Sequence, residues 1–148
     1  MEQEDRKRPD VLKEYADEHI TVYWEPAYCI HTAICINRLP GVFDPAARPW
    51  IDIGAAGADE IADAVMRCPT GALHFGRHDG GPEEPTPDET TVQPRTNGPL
   101  FVRGNLKLID AERAIVREDT RAALCRCGQS ANKPFCDGTH RADGFRAP

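Results

Sequence analysis

The chain has 148 residues, 13 Pro, 12 Gly, 40% hydrophobic and only 7% aromatic residues, so it can hold one ordinary domain or two miniature ones. No window approaches the ~18 consecutive apolar residues of a membrane span, and the N-terminal MEQEDRKRPDVLKEYADEH is charged where a secretory signal needs an apolar run. The formal charge is -6, with the basic excess confined to the last third, which argues against a nucleic-acid partner for the chain as a whole. A protein with no membrane association, in a cytoplasmic location, is expected.

In chain order, residues 1–18 alternate charges with few apolar positions and read as a solvated or helical N-terminal extension. From His19 the pattern tightens. ITVYW is β-branched and aromatic, VFD and PWIDI suggest two short strands around a Pro-rich turn, and ALHF suggests a closing strand. Between them GADEIADAVMRC predicts a helix, with Asp59 and Glu60 in its first turn and Ile61, Ala64 and Val65 at helical spacing. Residues 19–78 are thus expected to form one small domain. Residues 79–97 are rich in Pro, Gly and acidic side chains, with Val92 the only large apolar residue, and read as a linker. Within 98–148, LFVRG, LKLI and AIVR predict short strands leading into ALCRC. That segment is too small to cohere by apolar burial alone and calls for a staple. The fold class expected is α+β, a small α/β domain followed by a β-rich one.

The cysteines supply the staple. Six thiols in a small secreted protein would suggest disulfides, but a chain expected in a reducing compartment more often uses them to hold metal. Cys29, Cys35 and Cys68 lie in the first half, and Cys125, Cys127 and Cys136 near the C-terminus.

In CRCGQSANKPFCDGTH, residues 125–140, two thiols one residue apart would project to the same side of an extended strand. Cys136 and His140 are spaced to share one face of a short helical turn, with Pro134 fixing the entry and Asp137-Gly138 favouring a turn. A Cys3His set results. Structural zinc accepts the same set, although zinc sites usually open with two to four residues between the first two thiols. The run closely resembles the CDGSH iron–sulfur domain, the mitoNEET type, with Ser130, Pro134, Asp137, Gly138 and Thr139 at the pattern's places. The resemblance implies a 2Fe-2S cluster with Cys125 and Cys127 on one iron and Cys136 and His140 on the other.

YCIHTAICINRLPGVFD and MRCPTGALHF place Cys29 and Cys35 five residues apart and Cys68 directly before Pro69. A cubane-type site takes thiolates from a tight loop and one distant segment. The region resembles the divergent mono-cluster ferredoxin family, with Thr32 standing where a middle cysteine would be. Three thiolates match a 3Fe-4S cluster. The alternative is 4Fe-4S, completed by His31, another group or a solvent ligand. Three buried structural thiols are the bland reading. His19, His74 and His78 are assigned surface or packing roles, and Trp24 and Trp50 packing roles.

No catalytic constellation stands out, and no enzymatic activity is expected. The expected function is electron transfer by a two-cluster protein whose acidic first domain docks on a redox partner, a reductase or oxidase. The alternatives are cluster transfer to an apo-acceptor or pH and redox sensing, and a zinc-stapled adaptor. CDGSH domains pair, and one copy per chain implies a homodimer or a ferredoxin domain in the partner's place.

Overall fold

The computed structural model describes residues 11–148 and divides the chain into two compact units. One runs to Cys68 and resumes over Ala72–Pro85. The other takes Pro69–Gly71 and Thr86–Pro148.

The first unit is an antiparallel sheet of order β1-β2-β3, with strands Lys13–Ala16, Ile20–Trp24 and Leu73–Arg77. Alternation in ITVYW puts Ile20 and Val22 fully inside, and Val22 faces Phe75 in the β2–β3 register. The crossover between β2 and β3 carries a short helix α1 (Ile34–Arg38) and the longer α2 (Ala58–Met66). On α2, Ile61, Ala62, Ala64 and Val65 are buried as the helical spacing predicts, and Asp59 and Glu60 lie in the first turn, where the helix dipole favours acids. Phe43, Ile51 and Val42 complete the core. The expected PWIDI and VFD strands shrink to a single bridge, Phe43 to Ile51. The intervening Pro45 and Pro49 withdraw ladder donors.

The second unit is an antiparallel meander of order β4-β5-β6, with strands Thr91–Pro94, Leu100–Ile109 and Ile115–Leu124, followed by a one-turn helix α3 (Thr139–Asp143). LFVRG and LKLI form one strand rather than two. The break expected at Gly104-Asn105 is a register shift between Arg103 and Leu106, in which β5 continues past its irregularity.

Two boundaries need correction. Lys13–Ala16, expected within the 1–18 extension, is an edge strand because Tyr15 aligns with Val22 and its ladder needs no apolar periodicity on the outer face; the remainder of that extension, residues 1–10, lies outside the described residues. The 79–97 linker is divided between the units. Glu83 Oε1 accepts from the backbone N–H of Arg77 at 2.7 Å, and Glu84 meets His74 Nδ1 at 2.8 Å. Thr91–Pro94 pairs with Leu100–Arg103. Backbone pairing and charge, which composition does not report, organise this segment.

Candidate metal centres

In the second unit the chain leaves β6 at Leu124 and returns at Phe135, which bridges back to Leu124. Two backbone bonds close the return: the N–H of Cys125 donates to the Pro134 carbonyl at 2.9 Å, and that of Cys136 to the Ala123 carbonyl at 2.8 Å. Cys125 and Cys127 therefore lie just past the strand, in a bend, rather than on it as expected. The bend turns at Gly128, whose φ of 81° is a left-handed conformation glycine adopts without a steric penalty.

The loop is braced by polar side chains. Ser130, 1% exposed, donates from its hydroxyl to the Phe135 carbonyl at 2.6 Å and accepts from the Asn132 N–H at 3.0 Å. Asp137 accepts from the N–H groups of Ala131 at 2.9 Å and Thr139 at 3.0 Å, which ties the loop to the start of α3. His140 is on α3, while Cys136 precedes it, separated by Gly138 at φ 86°.

The donors stand as two pairs. Cys125 Sγ and Cys127 Sγ are 3.8 Å apart, and Cys136 Sγ and His140 Nδ1 are 3.5 Å apart. Two thiolates bound at ~2.3 Å to one tetrahedral metal stand about 3.8 Å apart, and a thiolate with an imidazole nitrogen bound at ~2.0 Å about 3.5 Å. Both pairs therefore have the spacing of ligands that share a metal, and the set fits an iron–sulfur group. Among the described residues, no three His, Cys, Asp or Glu side chains converge on a single ion.

Backbone amides aim at the sulfurs. Gly128 donates to Cys125 at 3.3 Å, Gln129 to Cys127 at 3.4 Å and Gly138 to Cys136 at 3.4 Å. Burial raises the Cys136 thiol, and its neighbours Asp137, Cys125 and Cys127 add to that. At Cys125 burial acts in the same direction, but amides including Ser130 and Gly128 outweigh it and lower the thiol. His140 is held below its ordinary value, first by burial and then by the cations Arg141 and Arg95. The neutral imidazole, the form that offers a lone pair to metal, is thereby favoured.

In the first unit Cys29 ends the 3-10 turn Pro26–Tyr28, Cys35 lies on α1, and Cys68 follows α2, its N–H bonded to the Val65 carbonyl at 3.1 Å. The Cys35 thiol is pushed up to about 12, first by burial and then by repulsion from Cys68 and Cys29. The three thiols, on a loop, a helix and a helix end, are thus within reach of one another's charge. Two non-glycine residues of the Cys29–Cys35 loop are left-handed, His31 at φ 57° and Ala33 at φ 64°, a conformation that costs about 1–2 kcal/mol per residue for an L-amino acid. His31 Nδ1 is 3.8 Å from Cys29 Sγ. Thr32 Oγ1 accepts from the Ile34 N–H at 3.4 Å.

The other histidines of this unit are occupied elsewhere. His78 Nε2 bonds Thr21 Oγ1 at 2.6 Å, His74 meets Glu84, and His19 Nε2 lies 3.5 Å from Glu18. Trp24 and Trp50 pack edge to face with centroids 4.8 Å apart, beside Phe43.

The sequence reading missed the amide donors and Arg126. The signal for the former was present in Gly128 and Gly138, each following a cysteine closely enough to turn a backbone N–H back on it. Arg126 has no such signal, because its hydrogen-bond acceptors are the backbone carbonyls of Arg95, Gly98 and Pro148.

Comparison with known proteins agrees with this two-part organisation. Residues 15–78 match the family described as divergent 4Fe-4S mono-cluster, and residues 97–141 match the iron-binding zinc finger of CDGSH type. The chain is also 31% identical over 64 residues to an uncharacterized protein, YjdI, of Escherichia coli strain K12, and equally so to YjdI of Escherichia coli O157:H7. The match covers 43% of this chain and 83% of each relative.

Proposed function

Because the chain belongs to the divergent 4Fe-4S mono-cluster family in its first half and carries a CDGSH-type iron-binding domain in its second, we propose that it is a two-centre electron carrier. The observation that carries this reading is the pairwise spacing of the C-terminal donors, 3.8 Å for Cys125 with Cys127 and 3.5 Å for Cys136 with His140. Two donors per metal suit a 2Fe-2S cluster, and the three cysteines of the first unit suit a cubane-type cluster, 3Fe-4S on thiolates alone or 4Fe-4S with a further ligand. Bound clusters would supply one-electron chemistry.

The protein's own groups set the terms of that chemistry. The amides of Gly128, Gln129 and Gly138 stabilise negative charge on the ligand sulfurs and so favour the reduced state. Replacing one thiolate with neutral His140 removes a negative charge and acts in the same direction. No catalytic activity of its own is proposed. Residues 21–100 carry 5 basic and 11 acidic side chains, a net -6, which suits docking on a basic reductase or oxidase. A homodimer through the C-terminal unit is the proposed assembly, measurable by light scattering. No helix among the described residues is long and apolar enough to cross a membrane.

The test is iron and acid-labile sulfide analysis of the anaerobically purified full chain, followed by cycles of dithionite reduction and reoxidation. Reversible bleaching without sulfide loss is expected at both centres. A colourless protein with no labile sulfide after reconstitution overturns the reading.

A second reading is cluster transfer to an apo-acceptor. It is favoured by the contrast between the half-exposed Cys125 and Cys127 and the buried Cys136 and His140, which leaves the two-thiol side open to an incoming thiolate. Transfer to an acceptor faster than electron exchange with a reductase would select it.

A further inference from the structure

Three arginines of the first unit are neutralised by carboxylates. Arg38 and Arg67 share Asp63, and Arg77 holds Asp59 and Asp79, all within 3.1 Å. The ligand-bearing stretch of the second unit is built otherwise. Residues 125–148 carry four cations, Arg126, Lys133, Arg141 and Arg146, against two carboxylates, Asp137 and Asp143. Each cation is next in sequence to a candidate ligand or to a residue bonded to one. Arg126 lies between Cys125 and Cys127, and Arg141 follows His140. Lys133 precedes Pro134, whose carbonyl accepts from the Cys125 N–H at 2.9 Å, and Arg146 follows Phe145, whose N–H donates to the His140 carbonyl at 3.2 Å. Arg95 adds a fifth cation: its carbonyl accepts from Arg126 Nη2 at 2.8 Å, and its charge, like that of Arg141, acts on His140.

Among the described residues, none of these five cations forms an ion pair with an Asp or Glu side chain; the ion pairs of the unit lie on its strands, Arg117 with Asp119 and Lys107 with Glu118. Arg126 is turned onto backbone carbonyls, while Arg95, Lys133, Arg141 and Arg146 are exposed. Of the two carboxylates, Asp137 accepts from the Ala131 and Thr139 N–H groups, and Asp143 is exposed with its charge felt at Cys127. Cations therefore outnumber anions around the donors. Like charges gathered on a surface repel one another and attract a partner of opposite sign.

We propose that the ligand-bearing stretch of the second unit is a docking surface for an acidic electron-transfer protein, one whose own redox centre is bordered by carboxylates that meet Arg95, Lys133, Arg141 and Arg146. The inference rests on the electron-carrier reading of this unit and extends it by fixing the charge of the partner. In the complex one electron passes between the partner's centre and the cluster, one oxidised as the other is reduced, and no bond is made or broken. The acidic balance of the first domain suits a basic partner, so the two centres address partners of opposite sign. A donor and an acceptor chosen in this way do not compete for one surface.

The experiment mixes the anaerobically reconstituted full chain with reduced flavodoxin, an acidic flavoprotein free of iron, and follows reduction of the second cluster by freeze-quench electron paramagnetic resonance across a salt series. Three variants accompany the wild type: Lys133→Glu alone, the triple reversal Lys133→Glu, Arg141→Glu and Arg146→Glu, and the charge-keeping triple Lys133→Arg, Arg141→Lys and Arg146→Lys. The wild-type rate is expected to fall about tenfold or more from low to high salt, as attraction between opposite charges is screened. Lys133→Glu should reduce that slope, the triple reversal should abolish or invert it, and the charge-keeping triple should retain it. A changed reduction potential shifts the rate by a similar factor at every salt concentration, so the slope reports docking. Unchanged visible absorption of the second cluster shows that a variant is folded.

The proposal is overturned if the wild-type rate is flat or rises with salt, or if Lys133→Glu and the triple reversal both keep the wild-type slope. Tighter binding to single-stranded DNA or to phosphatidylserine vesicles than to flavodoxin would assign the surface to another polyanion and overturn it equally. Absence of labile sulfide from the second site would remove the electron-carrier reading instead. Calorimetric titration of the chain with flavodoxin then still decides the surface, since salt-sensitive binding lost in the triple reversal supports an acidic protein partner and its absence does not.

Discussion

Arg126 donates from Nε to the carbonyl of Gly98 at 2.8 Å, although it sits between two candidate ligands, Cys125 and Cys127. The same guanidinium reaches the carbonyls of Arg95 at 2.8 Å and Pro148 at 3.1 Å and lies 5.3 Å from the Phe145 ring centre. Asn97 completes the junction, its N–H on the Ala147 carbonyl at 2.7 Å and its Oδ1 accepting from the Ala147 N–H at 2.9 Å. The ligand loop is thus bolted to the turn before β5 and to the last residues of the chain.

Lysine keeps the charge at this position but cannot satisfy several diverging carbonyls with a planar fork. Arg126→Lys is therefore expected to leave the reduction potential of the second cluster close to wild type while speeding cluster loss about tenfold, the equivalent of one charged hydrogen bond at ~1.5 kcal/mol. Arg126→Ala should speed loss and also lower the potential. Spectroelectrochemistry beside the decay of visible absorption separates the two effects. A shift in potential without faster loss would rule out the clasp.

Acid should release the second cluster by protonating His140. Burial, with help from Arg141 and Arg95, holds the imidazole low, so the neutral ligand form is complete above its ordinary value near 6.5 and is lost only as pH falls through a lower one. His140→Cys should shift cluster loss to more acidic pH and lower the potential, because a thiolate adds negative charge. Absorbance decay measured across a pH series checks both. Equal acid lability in the two proteins would mean that another ligand fails first.

Ser130→Ala removes a buried hydroxyl that serves the Phe135 carbonyl and the Asn132 N–H together. Losing these two hydrogen bonds together costs about 1–3 kcal/mol. The second unit should unfold at lower urea and lose its cluster sooner, with the first unit's transition unmoved. An unchanged urea midpoint would contradict this.

Stability of the first unit should depend on pH through Asp79. Its carboxyl is held well below the usual carboxylate range, first by the Arg77 guanidinium at 2.8–2.9 Å and then by the Gly81 N–H. Because the folded value is depressed, the stabilisation is present above the unfolded value of about 3.9 and fades as pH falls through the folded one. Asp79→Asn should lower the melting temperature at neutral pH, and the difference should close in strong acid. A difference that persists there would assign the loss to packing instead.

Much of this was legible in the sequence where local pattern and tertiary demand coincide. Ile20–Trp24 and Ala58–Met66 announce themselves through alternation and helical spacing because each has one face on a core. Thr91–Pro94 does not, since all four residues are exposed and the strand exists through its ladder with Leu100–Arg103. Lys13–Ala16 is similar, its three charged or small exposed residues accompanying a single half-buried tyrosine. At the metal centres, spacing named the ligands to look for, whereas the hydroxyl of Ser130, the amides on the sulfurs and the Arg126 fork are long-range or backbone partnerships that spacing does not encode.

The two centres differ in how far the chain must travel to build them. Cys125 and Cys136 meet across one short return closed by adjacent backbone bonds, whereas Cys29 and Cys68 come together only when the whole crossover has been laid down and β3 has zipped onto β2. Contacts close in sequence form faster than remote ones. During maturation the C-terminal site should become competent to accept metal as soon as its own stretch is available, while the N-terminal site waits for its sheet to close. A protein recovered from denaturant under limiting iron and sulfide would then fill its later-encoded centre first.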